Sequence, residues 1–229
     1  MKMIIEVIGT SVEDVIDAQK CGADRIEFCQ NMVEGGLTPS IGLVQAAVEA
    51  VDIPINVMVR PHSKSFVYNE YDMDVMLRDI DAIKRAGANG IVIGTITESG
   101  KVNEEQLQHL LGAAKGLDVT FHRAFDAVDD QMTELETILK YNQIKTILTS
   151  GGADRATEAS SQLAALVERT KNTSLTIMPG SGLVPENIEN FYEVVKPDAL
   201  HFGSGVRLNS SFDCSFSGDR INQIREVTV

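Results

Sequence analysis

From Asp24 to Cys29 the chain alternates, with Ile26 and Phe28 on one side and Arg25, Glu27 and Cys29 on the other. That period of two marks a strand with one greasy and one polar face. Similar short runs at residues 3–7, 24–29, 54–59, 90–94, 118–122, 145–149, 175–178 and 199–202 are each followed by a stretch with helical spacing. The helices are expected at 11–20, 39–50, 72–86, 103–115, 129–141, 155–170, 185–195 and 218–227. Strands alternating with helices at this spacing imply βαβ crossovers and a parallel sheet. Eight such units favour closure into a TIM (β/α)8 barrel, for which 229 residues suffice. Gly22-Ala23-Asp24 and Gly87-Ala88-Asn89 are near-copies, each placing a glycine where a helix ends and a strand begins. A doubly wound sheet is the rival, but Ile8-Gly9-Thr10-Ser11 is not the dinucleotide fingerprint GxGxxG. The chain reads as a single domain, 1–229, with an irregular segment at about 205–217.

In a barrel the aliphatic parity of each strand faces the helices and the other parity faces inward. Inward then fall Glu6, Arg25, Glu27, Cys29, Asn56, Met58, Arg60, Thr120, His122, Lys145, Thr149, Thr176, Met178 and His201. Outward fall Ile5, Val7, Ile26, Phe28, Val57, Ile91, Phe121, Leu148 and Phe202, among others. Glu6, Glu27, Cys29, Arg60, His122, Thr149 and His201 lie near strand C-termini, where barrel enzymes carry their chemistry. They are expected to share one mouth. Arg25, Asn56 and Lys145 lie lower and read equally well as buried structural partners.

Composition narrows the function. Twenty Lys+Arg against 33 Asp+Glu give a net charge of −13, which repels nucleic acid and anionic lipid. Three cysteines provide no disulfide framework and suit a reducing compartment. No apolar run approaches the ~20 residues of a membrane span, and the start resembles a strand rather than a secretory signal, so a cytoplasmic location is expected.

Candidate chemistry follows the strand ends. His122-Arg123-Ala124-Phe125-Asp126 gathers an acid–base group, a cation and a carboxylate in one loop. Thr149-Ser150-Gly151, Gly180-Ser181-Gly182 and Gly203-Ser204 follow the sixth, seventh and eighth strands. Their small residues let backbone N–H groups approach an anion, and the last two loops are the usual phosphate site of this fold. One reading is therefore an enzyme acting on a small anionic or phosphorylated metabolite. Arg60 and Arg123 would hold the anion, Glu27 and His122 would exchange protons, and Glu6 or Asp126 would orient the histidine, with His201 beside them. No organic cofactor is expected. Another reading is a non-catalytic scaffold or sensor.

GADRIEFC at 22–29, GGLTPS at 35–40, VMVRP at 57–61, TFHRAFD at 120–126, LTSG at 148–151 and TIMPGSG at 176–182 resemble the CutC family over essentially the whole length. The resemblance implies a cytoplasmic TIM-barrel protein associated with copper homeostasis, usually oligomeric (a dimer or tetramer here), with Glu6, Glu27, Arg60, His122, Arg123, Asp126 and His201 around its mouth. Members of the family often carry a cysteine where this chain has Ile8. Copper(I) favours sulfur donors, which makes Cys29, with His122 or His201, the expected ligand. Cys21 lies about 20 Å away along the strand and cannot join it. Met58 and Met178 face inward but read more readily as packing. Cys214 could reach the mouth only if the tail folded over it.

Overall fold

In a computed structural model, which describes residues 3–228, eight strands alternate with eight helices. The strands are β1 (Ile4–Gly9), β2 (Arg25–Phe28), β3 (Ile55–Met58), β4 (Gly90–Ile93), β5 (Asp118–Phe121), β6 (Ile144–Thr149), β7 (Thr176–Pro179) and β8 (Ala199–Phe202). The helices are α1 (Val12–Lys20), α2 (Ile41–Ala50), α3 (Glu70–Arg85), α4 (Glu104–Ala113), α5 (Gln131–Ile138), α6 (Ser160–Thr170), α7 (Pro185–Val195) and α8 (Gly218–Val227). The parallel ladder runs β7-β6-β5-β4-β3-β2-β1-β8. Because β7 and β8 also lie side by side, the sheet is a nearly closed barrel.

Short polar side chains set several helix starts. Ser11, Ser40, Asn103, Asp130 and Ser217 each accept a backbone N–H of the first turn. Asn69 forms a reciprocal capping box with Asp72, so α3 begins two residues before its predicted start. The main core lies between the outer strand face and the helices, where Ile5, Ile26, Phe28, Val57, Ile91, Phe121 and Phe202 are fully or almost fully buried. The barrel interior is thinner: Ile8, Cys29, Met58 and Val92 pack together, as do Leu148, Met178 and Ala199.

One strand departs from expectation. The register of β5 against β6 shifts between Val119 and Thr120, pairing Thr120 with Thr146. A one-residue irregularity reverses every side chain beyond it. Leu148 therefore points inward beside Met178, while Thr149 turns outward and Lys145 is exposed, donating to the Asn142 carbonyl.

The tail is irregular as expected, with short turns at Ser204–Val206 and Leu208–Ser210. It is pinned by Arg207, only 1% exposed. The guanidinium takes both carboxylate oxygens of Asp14 at 2.9 and 2.8 Å, as well as the Ile8 and Cys214 carbonyls. It also stacks over Phe216 and Phe212 at 4.0 and 5.3 Å. This clamp brings Phe212 against the mouth. Among the described residues no helix is long and apolar enough to cross a membrane.

Candidate functional site

A cavity of about 300 Å³ opens at the C-terminal ends of the strands, within the size range of small-molecule sites. Glu27, Arg60, His122 and His201 line it together, with Arg123 at its edge and the loops after β7 and β8 opposite. Met58, Leu148, Phe66 and Phe212 supply apolar wall. Glu6 lies deeper, and Asp126 and Thr149 stand outside the cavity wall.

The floor is a charged relay. Parallel register aligns Glu6 with Arg25 on one side and His201 on the other. Glu6 accepts from Arg25 Nε and lies 2.8 Å from His201 Nδ1. Burial alone would raise its pKa, but Arg25 and His201 outweigh burial and hold it down at about 2. Burial drives Glu27 the other way, to about 7, with Glu6 adding repulsion against the attraction of His201 and Arg25. Burial would lower His201, but the Glu27 and Glu6 carboxylates push it up. His201 Nε2 stands 3.9 Å from Glu27 Oε2, and Glu27 Oε1 is buried without a partner. A fixed anion, Glu6, thus underlies Glu27, a carboxyl that titrates near neutral pH, and His201, an imidazole held toward its charged form.

His122 has a different character from the expected proton carrier. Its Nδ1 accepts the Ala124 N–H at 3.1 Å, which leaves the proton of the neutral ring on Nε2, a buried atom with no partner. Burial, and then the nearby Arg60 cation, depress its pKa to about 3. The ring also packs on Phe66, and Gly94 leaves it room, since a Cβ there would come within 2.4 Å of Nδ1. His122 is therefore a neutral hydrogen-bond donor rather than a base. Neither Glu6 nor Asp126 orients it; the Ala124 backbone does. Glu6 orients His201 instead.

Asp126 serves the loop after β6. It accepts from Thr149 Oγ1, from the Ser150 and Gly152 N–H groups, and from Arg123 Nε at 2.7 Å. Gly151 N–H goes to Thr149 Oγ1, and Ser150 Oγ receives Arg123 Nη2. The backbone donors of Ser150 and Gly151, expected for an anion, are thus already taken. The Arg60 fork is also largely engaged: Nη1 donates to the Glu34, Gly35 and Gly36 carbonyls, Phe66 covers its face at 4.7 Å, and Nε alone is buried and unpartnered.

The loops after β7 and β8 are pressed together. Gly180 leaves room for Leu148 and His201, where a Cβ would approach to 2.8 and 3.1 Å. Ser181, at φ +85, and Gly182, at φ +72, turn the chain through the left-handed region. At Gly205 a Cβ would stand 2.1 Å from the Leu183 carbonyl oxygen. Gly205→Ala must therefore part the two loops, and a loss of about 1–3 kcal/mol by urea unfolding is expected. Unchanged stability would mean that the contact relaxes freely.

Sulfur gathers on the β2–β3 side. Cys29 is fully buried, with Sγ 3.4 Å from Met32 Sδ, and Met58 packs in the same cluster. Burial, with Glu27 and Glu6 adding repulsion, pushes the Cys29 thiol well above its ordinary pKa. Met32 was missed in the sequence, although the Cys29-x-x-Met32 spacing in a turn was its signal. Cys21 caps the far end of α1, and Cys214 lies in the tail, off the cavity wall.

The CutC family model matches residues 3–205. The human copper homeostasis protein cutC homolog is 38% identical over 237 residues, covering 98% of this chain and 86% of that protein. The Pasteurella multocida family protein CutC is 38% identical over 208 residues, covering 90% and 84%. The CutC structure from Streptococcus agalactiae aligns with a TM-score of 0.81 at 29% identity, over 88% of this chain and 98% of that one. Phosphoribosyl anthranilate isomerase from Thermococcus kodakaraensis aligns at a TM-score of 0.64 over 98% of each chain, but its 18% identity conveys the fold alone.

Proposed function

The chain belongs to the CutC family of copper homeostasis proteins, and from that premise we propose that it binds copper(I) through Cys29, Met32 and Met58. The 3.4 Å approach of Cys29 Sγ to Met32 Sδ carries the reading, with Met58 beside them. Thiolate and thioether are the soft donors that copper(I) prefers. The other compact donor group, Glu6, Glu27 and His201, has ligand atoms within 4.8 Å of one another. Its Glu6 is already committed to Arg25 and His201, so a cation there would have to compete with Arg25. Because the Cys29 thiol holds its proton, copper would displace that proton and bind more tightly as pH rises. A cytoplasmic setting suits this chemistry, since reducing conditions preserve both free thiols and copper(I).

Titration with copper(I) against a competing chelator, under reducing conditions, tests the reading. Stoichiometric binding tighter than ~1 μM is expected, lost in Cys29→Ser and weakened in Met32→Leu. Binding indifferent to Cys29→Ser would overturn it.

Acid–base catalysis on a small anionic metabolite is a second reading, favoured by the unpartnered Glu27 oxygen beside His201. For any substrate found, Glu27→Gln should abolish turnover while the sulfur site still binds copper. Turnover surviving in Glu27→Gln would remove this reading.

A further inference from the structure

We propose that the facing loops after β7 and β8 seat the phosphate of a small phosphate monoester whose other end reaches His122. The backbone N–H groups of Ser181, Gly182, Leu183, Gly203, Ser204 and Gly205 have no acceptor among the described residues. All six residues line the same cavity. By contrast, the donors after β6 are consumed by Asp126 and Thr149. Two loops with unspent N–H groups border one cavity, and runs of free backbone donors at a concavity are the kind of surface that binds phosphate oxygens.

A second observation, independent of the loops, points to a ligand. His122 is 3% exposed, lines the same cavity, and has a buried Nε2–H with no partner. A donor buried without an acceptor is costly unless a ligand supplies one. A hydroxyl or carbonyl oxygen on the ligand would do so. Local charge fits as well: Arg60 and Arg123 line the cavity with Glu27 as the one carboxylate among its described lining residues, although the whole chain carries −13. Ile8, Leu148 and Leu183 add apolar wall for a short carbon skeleton, and about 300 Å³ limits the ligand to a small metabolite. The seat does not depend on copper at Cys29 or on catalysis in the mouth.

Isothermal titration of the full chain with inorganic phosphate, glycerol 3-phosphate and glycerol tests the proposal. Both phosphates should bind and glycerol should not. Ser204→Asp places a carboxylate on the half-buried loop and should weaken both phosphates by about tenfold or more, with the circular dichroism spectrum unchanged. Ser204→Ala keeps every backbone donor and should bind as the wild type does. His122→Phe should weaken glycerol 3-phosphate more than inorganic phosphate. Absence of phosphate binding, equal affinity in folded Ser204→Asp, equal losses in Ser204→Ala and Ser204→Asp, or an unaltered glycerol 3-phosphate affinity in His122→Phe would each overturn the proposal as stated.

Discussion

Arg207→Ala should lower the unfolding free energy by about 3–5 kcal/mol, the usual loss when one member of a buried ion pair is removed. The substitution strands Asp14, whose 16% exposed side chain is bridged by Arg207 at 2.8 Å. Burial would raise the Asp14 pKa, but its bonds to Arg207 and Thr10 hold it below its ordinary value. The same guanidinium ties the Ile8 carbonyl at the top of β1 to the Cys214 carbonyl in the tail and stacks on two phenylalanines. Urea denaturation measures the loss. Asp14→Ala should also destabilise, and the double variant should cost less than the sum of the two single changes, because both groups serve one contact. A loss below about 1 kcal/mol in Arg207→Ala would place the pair among weak surface bridges.

Acidification should weaken the wild type through His122. An unfolded chain protonates this histidine below its ordinary value of 6.5, whereas burial and Arg60 keep it neutral in the fold down to about 3. The stability it contributes is therefore complete above 6.5, declines as pH falls, and is gone below the folded value. From pH 7 to pH 4 the loss through this residue is about 3 kcal/mol, an upper figure for a fully buried ring. His122→Phe keeps the stacking against Phe66 and has no proton to gain, so its unfolding free energy should fall less over the same interval. Parallel pH profiles for the two proteins would contradict the buried, neutral ring.

These residues show what was legible in the sequence. Strand alternation was strong enough to place seven strands facing as expected and to bring Glu27, Arg60, His122 and His201 to one cavity. It failed at β6, where Lys145 and Thr149 looked inward and Leu148 outward, because a register shift leaves no mark in a six-residue pattern. Roles depended on partners that parity cannot reveal. Glu6 engages His201 because β1 and β8 are neighbours, although the two residues lie at opposite ends of the chain. Asp126 looked like a partner for its near neighbour His122, but the local turn directs it to the β6 loop. Met32 and Arg207 sit in irregular segments without periodicity, so neither could be assigned a face. Their contacts exist only once Cys29 and Asp14 have been brought to them by the barrel.

Copper K-edge X-ray absorption of the full chain, loaded with one equivalent of copper(I) under reducing conditions, tests the sulfur site most directly. A first shell of sulfur alone, reduced in Cys29→Ser and in Met32→Leu, is the expected result. A shell of nitrogen and oxygen, or one unchanged by removing Cys29, would contradict it.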